Sequence, residues 1–326
     1  MEEIRNRSQG LLDFYQLPLP EASLLNDWNQ LLKIKEHGFK ERFLRKYISP
    51  ILARVPASLR LLLTSQLKKI RNPSKSFPIN DQTPLSIDTF IKDNIENHNP
   101  KFYLSADVDN KIGYEWLQDY ISIVQKNKIA LSILFVTHYD YKPDRDALAK
   151  LASESLEIGL HCYDHDIGLA YRSKNTIKRK LSQALERLPD NIVSYRSAAL
   201  SLSENLLQVI AELGIALDSS ASSHCIFYNS VGTTHPYPYG SPNVTELPLV
   251  LQDDHFFRDA AMSEKEAIEA FRKFSTWLHL CGSNLTINFH PHNMCKYPSF
   301  LEASCQILNE IYGIENSLCM KDAIIA

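Results

Sequence analysis

The sequence predicts an α/β protein built on a parallel sheet, either closed as a (β/α) barrel or open as a doubly wound sheet. Three observations lead there. From Lys101 onward, short β-rich runs alternate with helical stretches seven times. Asp107, Asp109, His161, Arg196, Asp218 and His290 all fall at the C-terminal ends of the predicted strands, where a (β/α) barrel assembles its active site. Before Lys101 the chain has a different character, helical and basic.

The elements follow in order. Apolar residues at three- and four-residue spacing predict helices up to about residue 72, interrupted by Pro50 and Pro56. Asn72 to Pro84 is a turn-rich connector. A short helix is expected around Ile87 to Asn97. KFYLSADVD is then a strand, and Tyr114 to Gln125 a helix. ALSILFVTH, LEIGLH, IVSYR and IALDSS are strands, separated by helices over Asp144 to Ser155, Thr176 to Leu188 and Glu204 to Leu213. A long loop through HPYPYGSPN leads to the strand TELPLVL and a helix over Glu264 to Leu280. NLTINFH is the seventh strand, and Phe300 to Ile311 the last helix. The organisation expected is a helical, basic region over 1–98 and a (β/α) domain over 99–326.

The 326 residues suffice for one large domain with an appendage. A hydrophobic content of 44% with 22% charged residues is that of a globular protein. No run of 18 apolar residues occurs, which excludes an obvious transmembrane helix. The start MEEIRNRSQG is followed by no apolar core of a secretory signal, so a cytoplasmic location is expected. Six cysteines are scattered without C-x-x-C, which argues against thiolate zinc sites and redox pairs. Residues 33–75 carry twelve Lys/Arg against two acids, and the remainder 23 against 36. This basic helical stretch is suited to peripheral contact with an anionic membrane surface at its inner face. No nucleic-acid-binding motif accompanies it, so nucleic acid is not an expected partner.

The chemistry-bearing residues form two clusters in sequence. Asp107 and Asp109, two apart, would share one face if both belonged to a regular strand, and two close carboxylates repel unless a cation sits beside them. His161 and His165, four apart, would stack on one side of a helical turn after their strand. One carboxylate and two imidazoles suit a divalent ion, zinc by preference, with positions left open for water and substrate. The second carboxylate can take a proton from water. Asp164, between the histidines, is either a partner of a ligand or an exposed acid. Arg196 can pair with Asp107 and keep it ionised. His290 can protonate a departing amine, with His292 as competitor. Asp253 or Asp254 can hold the His290 imidazolium, and Asp218 can do the same or bind substrate hydroxyls. Tyr163, beside the histidine pair, and His138, Tyr139, Tyr228, Tyr237, Tyr239 and Phe256 decorate the expected loops, where aromatics stack on sugar rings or simply pack.

In this order the motifs resemble the polysaccharide deacetylase family (NodB-homology, carbohydrate esterase 4), over residues 101–326. SADVDN resembles its first motif, which implies Asp107 as catalytic base and Asp109 as metal ligand. HCYDH resembles its His-x3-His motif, implying His161 and His165 as ligands. YRSAAL resembles the arginine motif, implying Arg196 as orienter of the base. LPLVLQDDHFF and INFHPH resemble the last two motifs, implying His290 as acid with support from Asp254, and leaving Asp218, Tyr163 and Asp253 to line the substrate. The resemblance implies a distorted (β/α)7 TIM-like barrel of the NodB-homology type. It also implies a metal-dependent hydrolase removing an N-acyl, chiefly N-acetyl, group from a sugar of a cell-surface glycan or its cytosolic or lipid-linked precursor. A deformylase or cyclic amide hydrolase, or a non-catalytic glycan-binding barrel, are the alternatives on the same fold. Two positions depart from the family pattern: Ser197-Ala198 follows Arg196 where the family has x-Pro, and Asn110 stands where it has Gly.

Overall fold

The computed structural model describes residues 7–22, 27, 28, 32, 42, 43, 86–223, 231–238 and 244–324. The basic stretch over 33–75 and its expected membrane contact therefore lie outside the described residues, Arg42 and Phe43 excepted. So do Cys225, Tyr228 and Tyr239. The five described cysteines are free. Among the described residues, no helix is long and apolar enough to cross a membrane.

Among the described residues, ten strands form one sheet. They are β1 Phe102–Val108, β2 Leu131–Val136, β3 Leu156–Cys162, β4 Ser194–Tyr195, β5 Leu217–Asp218, β6 Tyr237–Pro238, β7 Thr245–Glu246, β8 Leu251–Gln252, β9 Leu285–Asn288 and β10 Ser317–Leu318. Their order is β6-β7-β5-β4-β3-β2-β1-β9-β8, with β10 also beside β1. Only the β6–β7 pairing is antiparallel. The first three strands are buried along their whole length, as parallel strands covered on both faces are.

One broken strand closes the ring. Thr245–Glu246 pairs with β5, Leu249 bridges to Ser222, and Leu251–Gln252 pairs with β9. The stretch TELPLVLQ thus crosses from one side of the opening to the other. Counted as a single strand, it is the sixth of seven, and the doubly wound alternative falls away. Pro248 offers no backbone N–H at the middle of this crossing, where no ladder bond is asked of it.

Inward and outward residues of β1 separate by parity. Leu104, Ala106 and Val108 pack into the large core between sheet and helices. Tyr103 faces the barrel interior with Leu134, Leu217, Leu247, Met320 and Ala323. The last two come from the C-terminal tail. β10 takes the place beside Phe102 and Tyr103 that β2 leaves vacant, because β2 pairs with β1 only from Leu104. The tail then turns inward: Met320 N donates to Ser132 Oγ (2.8 Å) and Lys321 N to Glu157 Oε2 (2.9 Å). Glu157 also accepts from the Ser132 and Ser194 hydroxyls, which satisfies a carboxyl whose burial pushes its pKa up. Met320→Ala should cost about 2–5 kcal/mol, the range for emptying a fully buried large side chain. Urea denaturation measures it.

The helices agree with expectation in place and differ in length. Glu264–Leu280 begins at a capping box, with Ser263 and Glu266 exchanging backbone hydrogen bonds. The helix expected over Tyr114 to Gln125 is two, Lys111–Glu115 and Leu117–Lys126, parted at Trp116. Of the N-terminal region, Arg7–Tyr15 packs beside β6, with Tyr15 Oη donating to Pro236 O (3.4 Å). Ser86–Asn94 inserts Asp88, fully buried, to accept from the Thr233 and Thr234 hydroxyls (both 2.6 Å) and Thr234 N (3.1 Å). Polar bonds at both helices stitch the described N-terminal segments to the residues just before β6.

Candidate metal centre

β1 delivers two inward side chains, Ser105 and Asp107, and the chain leaves the strand before Asp109. The two aspartates are therefore not equivalent. Asp107 is 2% exposed inside the barrel mouth. Asp109 lies above it on the turn that Asn110 closes by accepting Gly113 N (3.0 Å) as cap of the next helix. Asn110 thus has a local role that the glycine of the family pattern would not fill.

Asp109, His161 and His165 come together. Asp109 Oδ1 is 3.3 Å from His161 Nε2 and 3.5 Å from His165 Nε2. All three donor atoms lie within 4.8 Å of one another. The helical turn expected to stack the histidines is absent. His161 belongs to β3, and His165 comes back beside it through a left-handed residue, φ 55°. The rings end 5.4 Å apart. A turn replaces a helix because Asp164 and Asp166, between and after them, are drawn to Lys180 (2.7 and 3.6 Å). His161 Nδ1 donates to Arg196 O (2.9 Å), which leaves Nε2 as the lone-pair nitrogen facing Asp109. Asp109 Oδ1 is buried without a hydrogen-bond partner among the described residues. Burial opposes its ionisation, but the charges of His165 and His290 outweigh it and hold the carboxyl well below the usual range. Burial likewise opposes protonation of His165, and Asp109 overrides it and raises the pKa. An anionic oxygen with no donor, turned toward two imidazole nitrogens, fits a divalent cation.

Arg196 follows β4 and is fully buried. Nη1 donates to Asp107 Oδ1 and Ser105 Oγ (both 2.9 Å). Nε donates to Ser219 O (2.9 Å) and Nη2 to Ser219 Oγ (3.0 Å), with Met320 Sδ 3.6 Å from Nη2. Asp107 Oδ2 accepts from Asn288 Nδ2 (2.8 Å), and Asp107 N donates to Asn288 Oδ1 (3.0 Å). Asp107 is thereby clamped from two sides, one charged and one neutral, in a pocket where a lone carboxylate would be costly.

His290 sits opposite. Its Nε2 is 3.7 Å from Asp109 Oδ2 and 3.3 Å from Asn288 Nδ2. Its Nδ1 bonds Asp253 Oδ1 (2.6 Å), and Asp253 Oδ2 accepts from His290 N and Asn293 Nδ2. Burial works against the imidazolium, but Asp253 and Asp109 raise the pKa well above the ordinary histidine value. The two neighbouring aspartates are placed differently from expectation. Asp253, expected at the substrate, is wholly buried and is the carboxylate that holds His290. Asp254, expected to support His290, instead bonds Asn293 (3.1 Å) and pairs with Arg258. His292, the competing acid, stands 5.4 Å away ring to ring, and burial and the His290 charge lower its pKa. Asp253→Asn should move the alkaline limb of kcat to lower pH, because His290 then releases its proton earlier. Near neutrality kcat should drop about 10–100-fold. A limb that stays in place in the pH–rate profile removes His290 as the acid.

The remaining expected residues divide. Tyr163 stands at the mouth, stacked on His138 (centroids 4.1 Å apart) with Lys180 Nζ 5.4 Å from its centroid. Asp218 does not reach the mouth. It is fully buried and takes the Ser220 hydroxyl (2.5 Å), so contact with substrate hydroxyls is excluded by burial. Tyr237 and Phe256 are buried as packing residues. Three participants escaped the sequence reading: Asn288, Ser105 and Ser219. Strand parity carried a signal for two of them. Ser105 stands two before Asp107 and Asn288 two before His290, each a polar residue on the inward face of an otherwise apolar strand.

A profile of WbmS-like polysaccharide deacetylases matches residues 104–298, well over half of the chain. No curated protein matches. Among solved structures, the chain resembles a provisionally assigned polysaccharide deacetylase from Mycobacterium smegmatis. The match has 17% identity and a TM-score of 0.55, and covers 70% of this chain and 91% of that one. That likeness supports the barrel fold. A provisionally assigned polysaccharide deacetylase involved in O-antigen biosynthesis in Bordetella bronchiseptica matches at 16% identity and a TM-score of 0.43, over 68% of this chain and 87% of that one. A carbohydrate esterase family 4 pseudoenzyme from Bacillus anthracis matches at 12% identity and a TM-score of 0.42, over 68% and 66%. The distorted seven-stranded barrel, the five motifs in order and the profile match agree: this chain belongs to the polysaccharide deacetylase family, NodB-homology type.

Proposed function

We propose that this protein is a metal-dependent N-deacetylase of an amino sugar in a surface glycan or its cytosolic or lipid-linked precursor. The observation that carries it is the pairing of Asp107 and His290 across one three-donor site. Asp109, His161 and His165 would hold the ion, and two imidazoles with one carboxylate favour Zn2+. When bound, the ion supplies Lewis acidity for the acyl carbonyl and for water. The chain's own residues do the rest. Asp107 accepts the proton of the attacking water at Oδ2, while Arg196 holds Oδ1 and fixes the carboxylate's orientation. Asn288 stands between base and acid: its Nδ2 donates to Asp107 Oδ2 and lies 3.3 Å from His290 Nε2. His290 delivers the proton on Nε2 to the leaving amine, and Asp253 at Nδ1 stabilises the imidazolium until then. The half-exposed Tyr139 offers a face for a sugar ring at the mouth.

The test is product release. Purified protein supplied with zinc is incubated with N-acetylated and N-formylated amino sugars, free and carrier-linked. Acetate release that stops with chelator and returns with zinc is the expected result. Formate release alone points to deformylation, and no release from a zinc-loaded sample leaves a binding barrel.

A further inference from the structure

Beside Arg196 lies a second carboxyl pair that the catalytic reading leaves unused. Asp218 and Glu246 are register partners across the parallel strands β5 and β7, and neither is exposed at all. Each has one oxygen satisfied. Asp218 Oδ1 accepts from Ser220 Oγ (2.5 Å), and Glu246 Oε1 from Ala221 N (3.0 Å). The other two, Asp218 Oδ2 and Glu246 Oε2, are buried without a donor among the described residues. Side by side on neighbouring strands, each carboxyl influences the ionisation of the other. Two ionised carboxylates in this position would repel each other and leave two orphan acceptors in a low dielectric. One proton, donated from one carboxyl to the other, removes both defects. Burial pushes both pKa values up, in the direction this requires. The charged neighbour is Arg196, just after β4, with Asp107 beyond it. Tyr195 and Tyr237, register neighbours on β4 and β6, are phenols.

We propose that Asp218 and Glu246 are positioning residues that share one proton and lock the Asp218-Ser219-Ser220 segment against Arg196. That segment supplies both Ser219 acceptors of the guanidinium, and Ser220 Oγ also receives Ser197 N (2.8 Å). While it holds, Nη1 is left to point at Asp107. The kinetic consequence rests on the deacetylase reading, whereas the shared proton does not.

Glu246→Gln replaces a protonated carboxyl by an amide of the same shape and charge, and Glu246→Ala removes the partner. The folded pair keeps a proton that the unfolded chain releases at its ordinary carboxylate value. The parent therefore loses stability as pH rises from there toward the raised folded value, and E246Q does not. The Tm of E246Q relative to the parent should climb between about pH 5 and pH 8. In kinetics, E246A should lower kcat roughly 10–100-fold at unchanged KM, with E246Q restoring it to within a few-fold. A Tm difference that is flat with pH overturns the shared proton. E246Q as impaired as E246A overturns the positioning role. If the parent turns over no substrate, the thermal comparison still decides the proton.

Discussion

Asp107→Asn should lower kcat by about 10²–10⁴-fold, the range for losing a general base, with KM and zinc content near the parent's. The substitution is chosen because asparagine keeps the carboxamide oxygen that Arg196 Nη1 needs but cannot take a proton. The buried guanidinium loses its counter-charge, so a stability cost accompanies the kinetic one. Breaking a buried pair outright costs about 3–5 kcal/mol, and the retained hydrogen bond should keep this variant below that range. Thermal unfolding alongside steady-state kinetics separates the two effects. A variant that folds normally and retains parental turnover would show that the proton goes elsewhere. His290 would then be the group to examine, since its Nε2 also faces the centre.

The second large effect is on the metal. His161→Ala should abolish stoichiometric zinc binding and activity together, measured by elemental analysis and product release on the same sample. His161 is the most rigid of the three donors: 3% exposed, carried on β3 and fixed through Nδ1 by the Arg196 carbonyl. Its loss also empties a buried place beside Asp107, 3.7 Å away. His165→Ala should be milder, because that ring is about a third exposed and stands on a turn. In the parent, zinc affinity should fall as pH is lowered through the raised pKa of His165. The proton competes with the ion for Nε2, and a raised pKa extends that competition to higher pH. Titration calorimetry across pH reads this directly. Full zinc occupancy in His161→Ala would mean that the ion sits on other ligands, the Asp253, Asp254 and His290 group being the alternative among the described residues.

Local pattern disclosed much of this protein. Apolar runs and helical periodicity located the seven strands and the helices between them, because a buried strand or an amphipathic helix announces itself within a dozen residues. Spacing located the donors. Asp-x-Asp and His-x3-His at strand ends are compact signals, and the order of the motifs pointed to the family. What local pattern could not convey is which of two neighbouring groups turns inward. Asp253 and Asp254 are adjacent and chemically alike, yet one meets His290 and the other Arg258. That choice is made by the helical backbone that follows β8. Asp218 stood at a strand end like the others, but its strand partner is Glu246, some thirty residues on, so its carboxyl faces a wall and not the mouth. The C-terminal tail, beyond the last predicted helix, fills the barrel beneath Arg196. Closure itself depended on one stretch reaching both β5 and β9. Side-chain identity and periodicity are properties of a segment. Facing direction, closure and the pairing of buried charges arise only when segments far apart in sequence exclude water from one another, and there the tertiary structure decides.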